Sequence, residues 1–411
     1  MHDAAAWIFS ATYCGVAVGG VPGLVLDRTG IALIGAIAMV AAGVLTTSEA
    51  VASIHVPTIL LLYALMVVSS QFRLGGLYTR VALEITKLLG RPVRFFLVLM
   101  AVSAALSALL TNDIICLAFT PVLAAGLLQA GLNPAPFLLG LAAASNIGSA
   151  ATIIGNPQNM LIGQTGKLDF GRFLLWCGPP ALVSLGCATA IILAVYRRDF
   201  LVRPSESGQP SGDWPVYDAH QSGKGIAAVL VLVGLFFTPV PREISAISIA
   251  GLLLCSRKMH TRQILGHVDW HLITLFCGLF IVVKGIEVAG TPQLVVQQLG
   301  AAGIDMRETV PLAVSSTLLS NIVSNVPAVM ILTKFLSPSD TAAWHLLALT
   351  STFAGNLITI GSIANLITIE QAREQGIRIG FLEHARTGVP ITAASLLVTL
   401  LWAPLARILG F

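Results

Sequence analysis

The chain has 411 residues, of which 56% are hydrophobic and only 10% charged, with a net charge of +4 and a mean hydropathy of +0.87. A soluble domain is roughly one quarter charged, so this composition excludes a water-soluble fold and calls for a lipid bilayer as solvent. The small positive balance does not imply nucleic acid, because Lys and Arg are spread through short loops, where they act as a topology signal.

In chain order, the first apolar run starts at about Ala5, behind Met1-His2-Asp3. It has no basic n-region and no small-residue cleavage signal, and so reads as a resident span rather than a removable leader. Apolar runs at 29–45 and 56–68 predict helices, and the following loop, 73–94, is basic, with Arg73, Arg80, Lys87, Arg91 and Arg94 against Glu84. Apolar arms at 95–110 and 114–128 then flank Thr111, Asn112 and Asp113, a pattern that predicts a re-entrant helical hairpin with a polar tip. The stretch 142–154, with Ser145, Asn146, Ser149 and Thr152 set into it, runs into Gly155-Asn156-Pro157-Gln158-Asn159. Proline lacks a donor and frees a carbonyl one turn earlier, so a broken transmembrane helix is predicted there.

A run at 174–195 closes a first unit, residues 1–196. Residues 197–222, rich in Ser, Gly, Pro and Asp, predict a cytoplasmic linker. A second unit, 223–411, opens with the run at 226–237. Its arms 310–319 and 329–335 flank the tip 320–327, which includes Ser324, Asn325, Val326 and Pro327. A softer break without proline follows, from Gly355 and Asn356 through Gly361 and Ser362 to Asn365, and the run at 391–402 ends the series. On hydropathy about ten to twelve membrane-embedded helices are expected. All six cysteines, Cys14, Cys116, Cys177, Cys187, Cys255 and Cys277, fall in apolar runs without CxxC spacing and are expected to be buried packing residues.

The two units are copies. Residues 65–76 lie over 279–290, 214 positions on; Asn112 lies over Asn325, 213 on; Gly155 over Gly361, 206 on; and Gly178-Pro-Pro180 over Gly388-Val-Pro390, 210 on. Four landmarks in one order mark an internal repeat. Equivalent loops carry opposite charge bias, since 284–308 holds Lys284 and Arg307 against Glu287, Asp305 and Glu308. The positive-inside rule places 73–94 in the cytoplasm and 284–308 outside, and with them Arg197, Arg198, Arg257, Lys258, Arg262 and 373–386 inside. Copies on opposite faces mean inverted topology, and the fold class expected is an all-α polytopic membrane protein of two inverted repeats, each with a re-entrant hairpin and a broken helix.

Irregular backbone at membrane depth is tolerated only where it is buried in protein or lines a cavity, so the tips and breaks point at the site. Carbonyls, amides and hydroxyls freed there suit a cation, and the opened helix N-termini suit an anion. Asp113 is the one carboxylate expected near the midplane, where an ionisable group is a functional candidate; the plainer alternative is that it caps the second arm's helix.

Thr111-Asn112-Asp113 with Phe119-Thr120-Pro121, then Gly155-Asn-Pro-Gln-Asn159, Ser324-Asn325-Val326-Pro327 and Gly361-Ser362 to Asn365 together resemble the ion transporter superfamily. That superfamily includes arsenite permeases, divalent anion/sodium symporters and sodium/proton antiporters, and the likeness, including a citrate transporter-like domain, covers nearly the whole chain. The Asn-Asp tip followed by Thr-Pro is closer to the arsenite permease branch than to the dicarboxylate branch, whose tips carry Ser-Asn-Thr. The resemblance implies a substrate and ion site at Thr111, Asn112, Asp113, Asn146, Gly155, Asn156, Pro157, Asn159, Ser324, Asn325, Gly361, Ser362 and Asn365. It implies sodium at Asn112, Gly155, Asn325 and Gly361. Asp113 and Val326 stand where the dicarboxylate relatives have threonine, which argues against a dianionic substrate.

The function expected is secondary active transport of a small anion across the cell (inner or plasma) membrane by alternating access, with H+ or Na+ as coupling ion and no other cofactor. Alternatives are arsenite or antimonite efflux and sodium/proton antiport. A channel is disfavoured by the hairpin repeat. An enzyme finds no support, since His2, His55, His220, His260, His267, His271, His345 and His384 are expected at ends and loops and no catalytic dyad is evident. The bilayer is the implied partner, with a homodimer possible by resemblance.

Overall fold

In hydrocarbon a spanning segment must satisfy its own backbone groups, and a helix does so without a neighbour. The structure, a computed structural model, describes residues 2–20, 23–205, 210, 212, 214–291, 294, 297–298, 305–306 and 308–410. It is 76% helix, without strands among the described residues. Arg307, counted above in the external loop, lies outside them, as does part of the linker.

The first half contains α1 (His2–Val18), α2 (Arg28–Ala41), α3 (Thr47–Ser53), α4 (Val56–Leu74), α5 (Leu77–Thr86), α6 (Pro92–Leu109), α7 (Asn112–Gln129), α8 (Ala135–Ser149), α9 (Pro157–Thr165) and α10 (Phe170–Val195). The second contains α11 (Ala219–Leu235), α12 (Arg242–Leu254), α13 (Thr261–Leu265), α14 (Trp270–Val288), α15 (Thr309–Val323), α16 (Asn325–Leu332), α17 (Thr341–Ala354), α18 (Ile363–Glu374) and α19 (Phe381–Ile408). Among the described residues seven helices are long and apolar enough to cross a bilayer, and five shorter ones are apolar, in keeping with the number expected. The chain is a multi-pass membrane protein.

Packing follows the repeat. Helix α2 lies on α14, and its copy α12 lies on α4; α1 and α3 also meet α14, as α11 and α13 meet α4. Helix α7 packs on α18 and its copy α16 on α9, while α10 and α19 pack on one another. Such reciprocity is what a pseudo-two-fold axis produces. Equivalent turns agree too: Gly76, after α4, has φ 69° and Gly290, after α14, has φ 73°, left-handed backbone that favours glycine.

The hairpins are α6–α7, turning at Leu110 and Thr111, and α15–α16, turning at Ser324 alone. The second tip is narrower than the expected 320–327. Ser320 and Asn321 stay helical because the Asn321 amide donates back to Thr317 O at 2.9 Å, so polar side chains there do not compete for the ladder. All of α8 is buried, and so is α17 from Ala343 onward. Gly148 lets α8 approach the α6 backbone at Ala104, where a Cβ would overlap its carbonyl.

Three further expectations are corrected. Helix α11 begins at Ala219, inside the expected linker, because Asp218 caps it, Gln71 Nε2 donates to Gln221 Oε1 at 2.9 Å and Ser222 Oγ donates to Gly75 O at 3.0 Å. His345 and His384 are buried within α17 and α19, not at loops; the His345 ring meets Thr341 O at 2.6 Å and stacks on Trp176 at 5.3 Å. Cys14 and Cys255 are exposed. Lipid welcomes an apolar side chain as readily as the interior does, so an apolar run does not tell the two faces apart.

Candidate functional site

Two helix starts from each half converge. A cavity of about 20 Å³ is walled by Asn112 and Asp113 at the start of α7, Pro157 and Gln158 at the start of α9, Ser324, Asn325 and Val326 at α16, and Ser362 and Ile363 at α18. Leu272 of α14 supplies an apolar wall. Volume of that order holds about one water.

Six expected residues are therefore in the wall: Asn112, Asp113, Pro157, Ser324, Asn325 and Ser362. The other seven, Thr111, Asn146, Gly155, Asn156, Asn159, Gly361 and Asn365, are buried outside it. They hold the wall in place. Asn112 N donates to Gly155 O at 3.2 Å, tying the first tip to the first break. In the orientation that satisfies both its amide atoms, Asn325 Nδ2 donates to Gly361 O and Ser351 O, each at 3.2 Å, which ties the second tip to the second break. The breaks are capped alike: Asn156 accepts from Asn159 N at 2.9 Å, and Ser362 from Ala364 N at 3.2 Å. At Gly155 a Cβ would overlap the carbonyl of Ser149, so the chain can only double back there on glycine.

Asn146 stands between the halves. Its Oδ1 accepts from Asn112 Nδ2 at 3.0 Å and Ser362 Oγ at 2.9 Å, and its Nδ2 donates to Asn356 Oδ1 at 2.9 Å and Asn365 Oδ1 at 3.1 Å. Asn365 Nδ2 in turn donates to Gly355 O at 2.7 Å. Thr352, the residue 206 positions after Asn146, makes the reciprocal reach. Its Oγ1 accepts from Asn156 Nδ2 and Gln158 Nε2, both at 3.3 Å, and donates to Asn159 Oδ1 at 3.4 Å. Sequence reasoning missed Thr352 and Leu272; it placed Gln158 and Asn356 in the breaks and Asn321 within the second tip, without assigning those three to the site. The repeat offset sets Thr352 opposite Asn146, but its role appears only in the packed structure.

Asp113 lines the cavity without a hydrogen bond or salt bridge among the described residues, and no side chain caps α7. The alternative of a simple cap is not what the geometry has. The amide oxygen of Asn112 is likewise buried without a partner. Each helix start carries about half a positive elementary charge, so four of them more than balance the one carboxylate. The wall holds no Lys or Arg. What results is a small space lined by four helix starts, neutral donors and acceptors, and one carboxylate.

The citrate transporter family matches residues 5–354. The chain belongs to that family. Among relatives, the 46 kDa membrane protein of Mycobacterium leprae is 30% identical, over 82% of this chain and 83% of its own. The silicon efflux transporter LSI3 of Oryza sativa subsp. japonica is 30% identical over 94% of this chain and 93% of its own. The arsenical pump membrane protein of Escherichia coli is 26% identical over 82% and 83%. Among solved structures, the Alcanivorax borkumensis YdaH transporter, described as having an unusual topology, superposes with a TM-score of 0.59 at 14% identity, covering 99% of this chain and 98% of that one. That likeness concerns the fold alone. Family membership makes the chain a transporter, not an enzyme.

Proposed function

We propose that this transporter carries a small, singly charged anion by alternating access, and that Asp113 takes part in coupling to H+ or Na+. The observation that carries the reading is the convergence of four helix N-termini on a cavity with one carboxylate. Positive helix ends favour an anion, and the lone negative charge leaves room for one more rather than two. A cation carrier would need the reverse balance. Sodium, if it is the coupling ion, has the unpartnered Asn112 Oδ1 and the Asp113 carboxylate as its candidate ligands.

The test is uptake by purified protein in vesicles, with an imposed proton or sodium gradient and a panel of small anions. Saturable uptake of a monoanion that responds to one gradient is expected; ohmic conductance, or no response to either gradient, would overturn the reading. A second reading, arsenite or antimonite efflux, draws on the relative named as an arsenical pump membrane protein and on the neutral donors of the wall. It predicts that everted vesicles accumulate arsenite in the same assay.

A further inference from the structure

We propose that Arg242 and Arg28 are alternate latches, one for each face of the membrane, each holding a broken helix in place while the site opens to the other side. Arg242 opens α12 and reaches the end of α9, where its Nη1 donates to Leu168 O and its Nη2 to Gly163 O at 2.7 Å, with Gln164 Oε1 at 3.5 Å. Beside it Glu243 accepts from Gln164 Nε2 at 3.0 Å. A cation at the C-terminal end of a helix meets unused carbonyls and the negative end of the dipole. Helix α9 begins in the wall of the candidate site, so Arg242 positions Pro157 and Gln158 from the far end of their helix. The charge pattern of the loops puts this contact outside the cell.

The repeat supplies the second latch. Arg28 opens α2, 214 positions before Arg242, the same offset that relates 65–76 to 279–290. The carbonyls have copies as well. In the first half Leu168 N donates to Gly163 O at 3.0 Å, past Lys167 at φ 49°; in the second, 209 positions on, Ile377 N donates to Ala372 O at 3.0 Å, past Gly376 at φ 78°. Arg28 and this second turn both fall on the cytoplasmic face, yet they are not joined. The Arg28 guanidinium lies over Gly19 and has no hydrogen bond or salt bridge among the described residues. Were Arg242 only a cap, its copy should cap α18 in the same structure. Helix packing is one-sided in the same sense: on the outer face α9 packs on α4 and α16 on α14, whereas the inner copies, α18 with α14 and α7 with α4, make no comparable contact among the described residues. Inverted repeats exchange conformations when access alternates, so in the opposite state Arg242 lets go and Arg28 takes Ala372 O and Ile377 O.

The latches rest on the alternating-access reading above, but they can be scored without transport. On a cysteine-free full chain, Gln164→Cys with Glu243→Cys reports the outer latch, and Thr29→Cys with Arg373→Cys, the residues at the same offsets, reports the inner one. A short bifunctional thiol reagent joins whichever pair is close, and the two halves then stay together after cleavage at a protease site placed in the connector. Arg242→Gln should raise the ratio of inner to outer cross-link at least about tenfold, because bonds from a charged donor are lost, and adding Arg28→Gln should bring the ratio back down. Arg242→Lys, which lacks the fork that spans two carbonyls, serves if the glutamine variant does not reach the membrane. An inner pair that never joins, even with Arg242 replaced, or a rise that survives the loss of Arg28, as release of a merely structural cap would, overturns the proposal. Saturable, gradient-driven uptake alongside either result sinks the latches alone, whereas ohmic conductance sinks the reading beneath them.

Discussion

At the first tip Thr111 has ordinary extended backbone, φ −59° and ψ 140°; at the second Ser324 is held at φ 76° and ψ 159°. An L-residue occupies that region at a cost of about 1–3 kcal/mol, and only where its surroundings over-determine it. Two residues on, the first half has Asp113 and the second Val326. The straps between hairpin and break are also built from opposite partners: Thr152 of the first break reaches Ala108 O on α6, whereas Asn321 of α15 reaches Ala354 O at 3.1 Å. Helix starts, caps and straps occur in both halves and are what the fold requires. At the tips themselves, the titratable group belongs to the first half and the positive-φ residue to the second.

The largest effect that tests this division is at the shared elements. Asn112→Ala and Asn325→Ala should each lower vesicle uptake at least about a hundredfold, the loss of a few kcal/mol, with normal membrane expression. An active variant at either tip would make the site one-sided. Next comes the unshared charge. Asp113→Asn keeps size but cannot titrate, so uptake should lose its response to one gradient, proton or sodium, while downhill exchange survives; unchanged dependence on both would remove the carboxylate from coupling.

A smaller contrast is expected between Asn146→Leu and Thr352→Val. The first takes the partner from four groups bonded at 2.9–3.1 Å, of which only Ser362 Oγ keeps another; the second leaves Gln158 Nε2 and Asn159 Oδ1 unpaired, while Asn156 Nδ2 keeps Ser149 Oγ at 2.9 Å. Buried groups left unpaired cost about 1–3 kcal/mol each, so thermal unfolding in detergent should fall further for Asn146→Leu. Equal losses would mean that the halves are bonded alike. Smallest is the backbone contrast: Ser324→Gly should hold or raise stability by about 1 kcal/mol by relieving strain, and Thr111→Gly should lower it by a similar amount. If Ser324→Gly also lowers the unfolding midpoint, the second tip is not strained.

Much of this plan was legible because the repeat marks the backbone: glycine, proline and asparagine at matching offsets located both tips and both breaks. Residues that act through side-chain bonds across the halves left no such mark. Thr352 sits in a helix with no glycine or proline beside it, and its role appears only once α17 packs against α9. His345 escaped the sequence for the same reason, since polarity suggested a loop while the Trp176 ring and the Thr341 carbonyl made burial tolerable; His384 is buried in α19 with its Nδ1 unpartnered. The asymmetry of Ser324 could not be read at all, because serine is at home in most backbone conformations and nothing in its type signals the one it is given.

The crossed packing of α2 on α14 and α12 on α4 has a consequence for synthesis. A ribosome that has just completed α10 has placed in the bilayer a set of helices whose partners have yet to be translated: α4 waits for α12, α7 for α18, and α9 for α16. Lipid must line those faces in the interval. The first half is therefore an unfinished object rather than a small domain, and a gene divided within the polar connector would have to yield two fragments that find each other sideways in the membrane before either acquires its final shape.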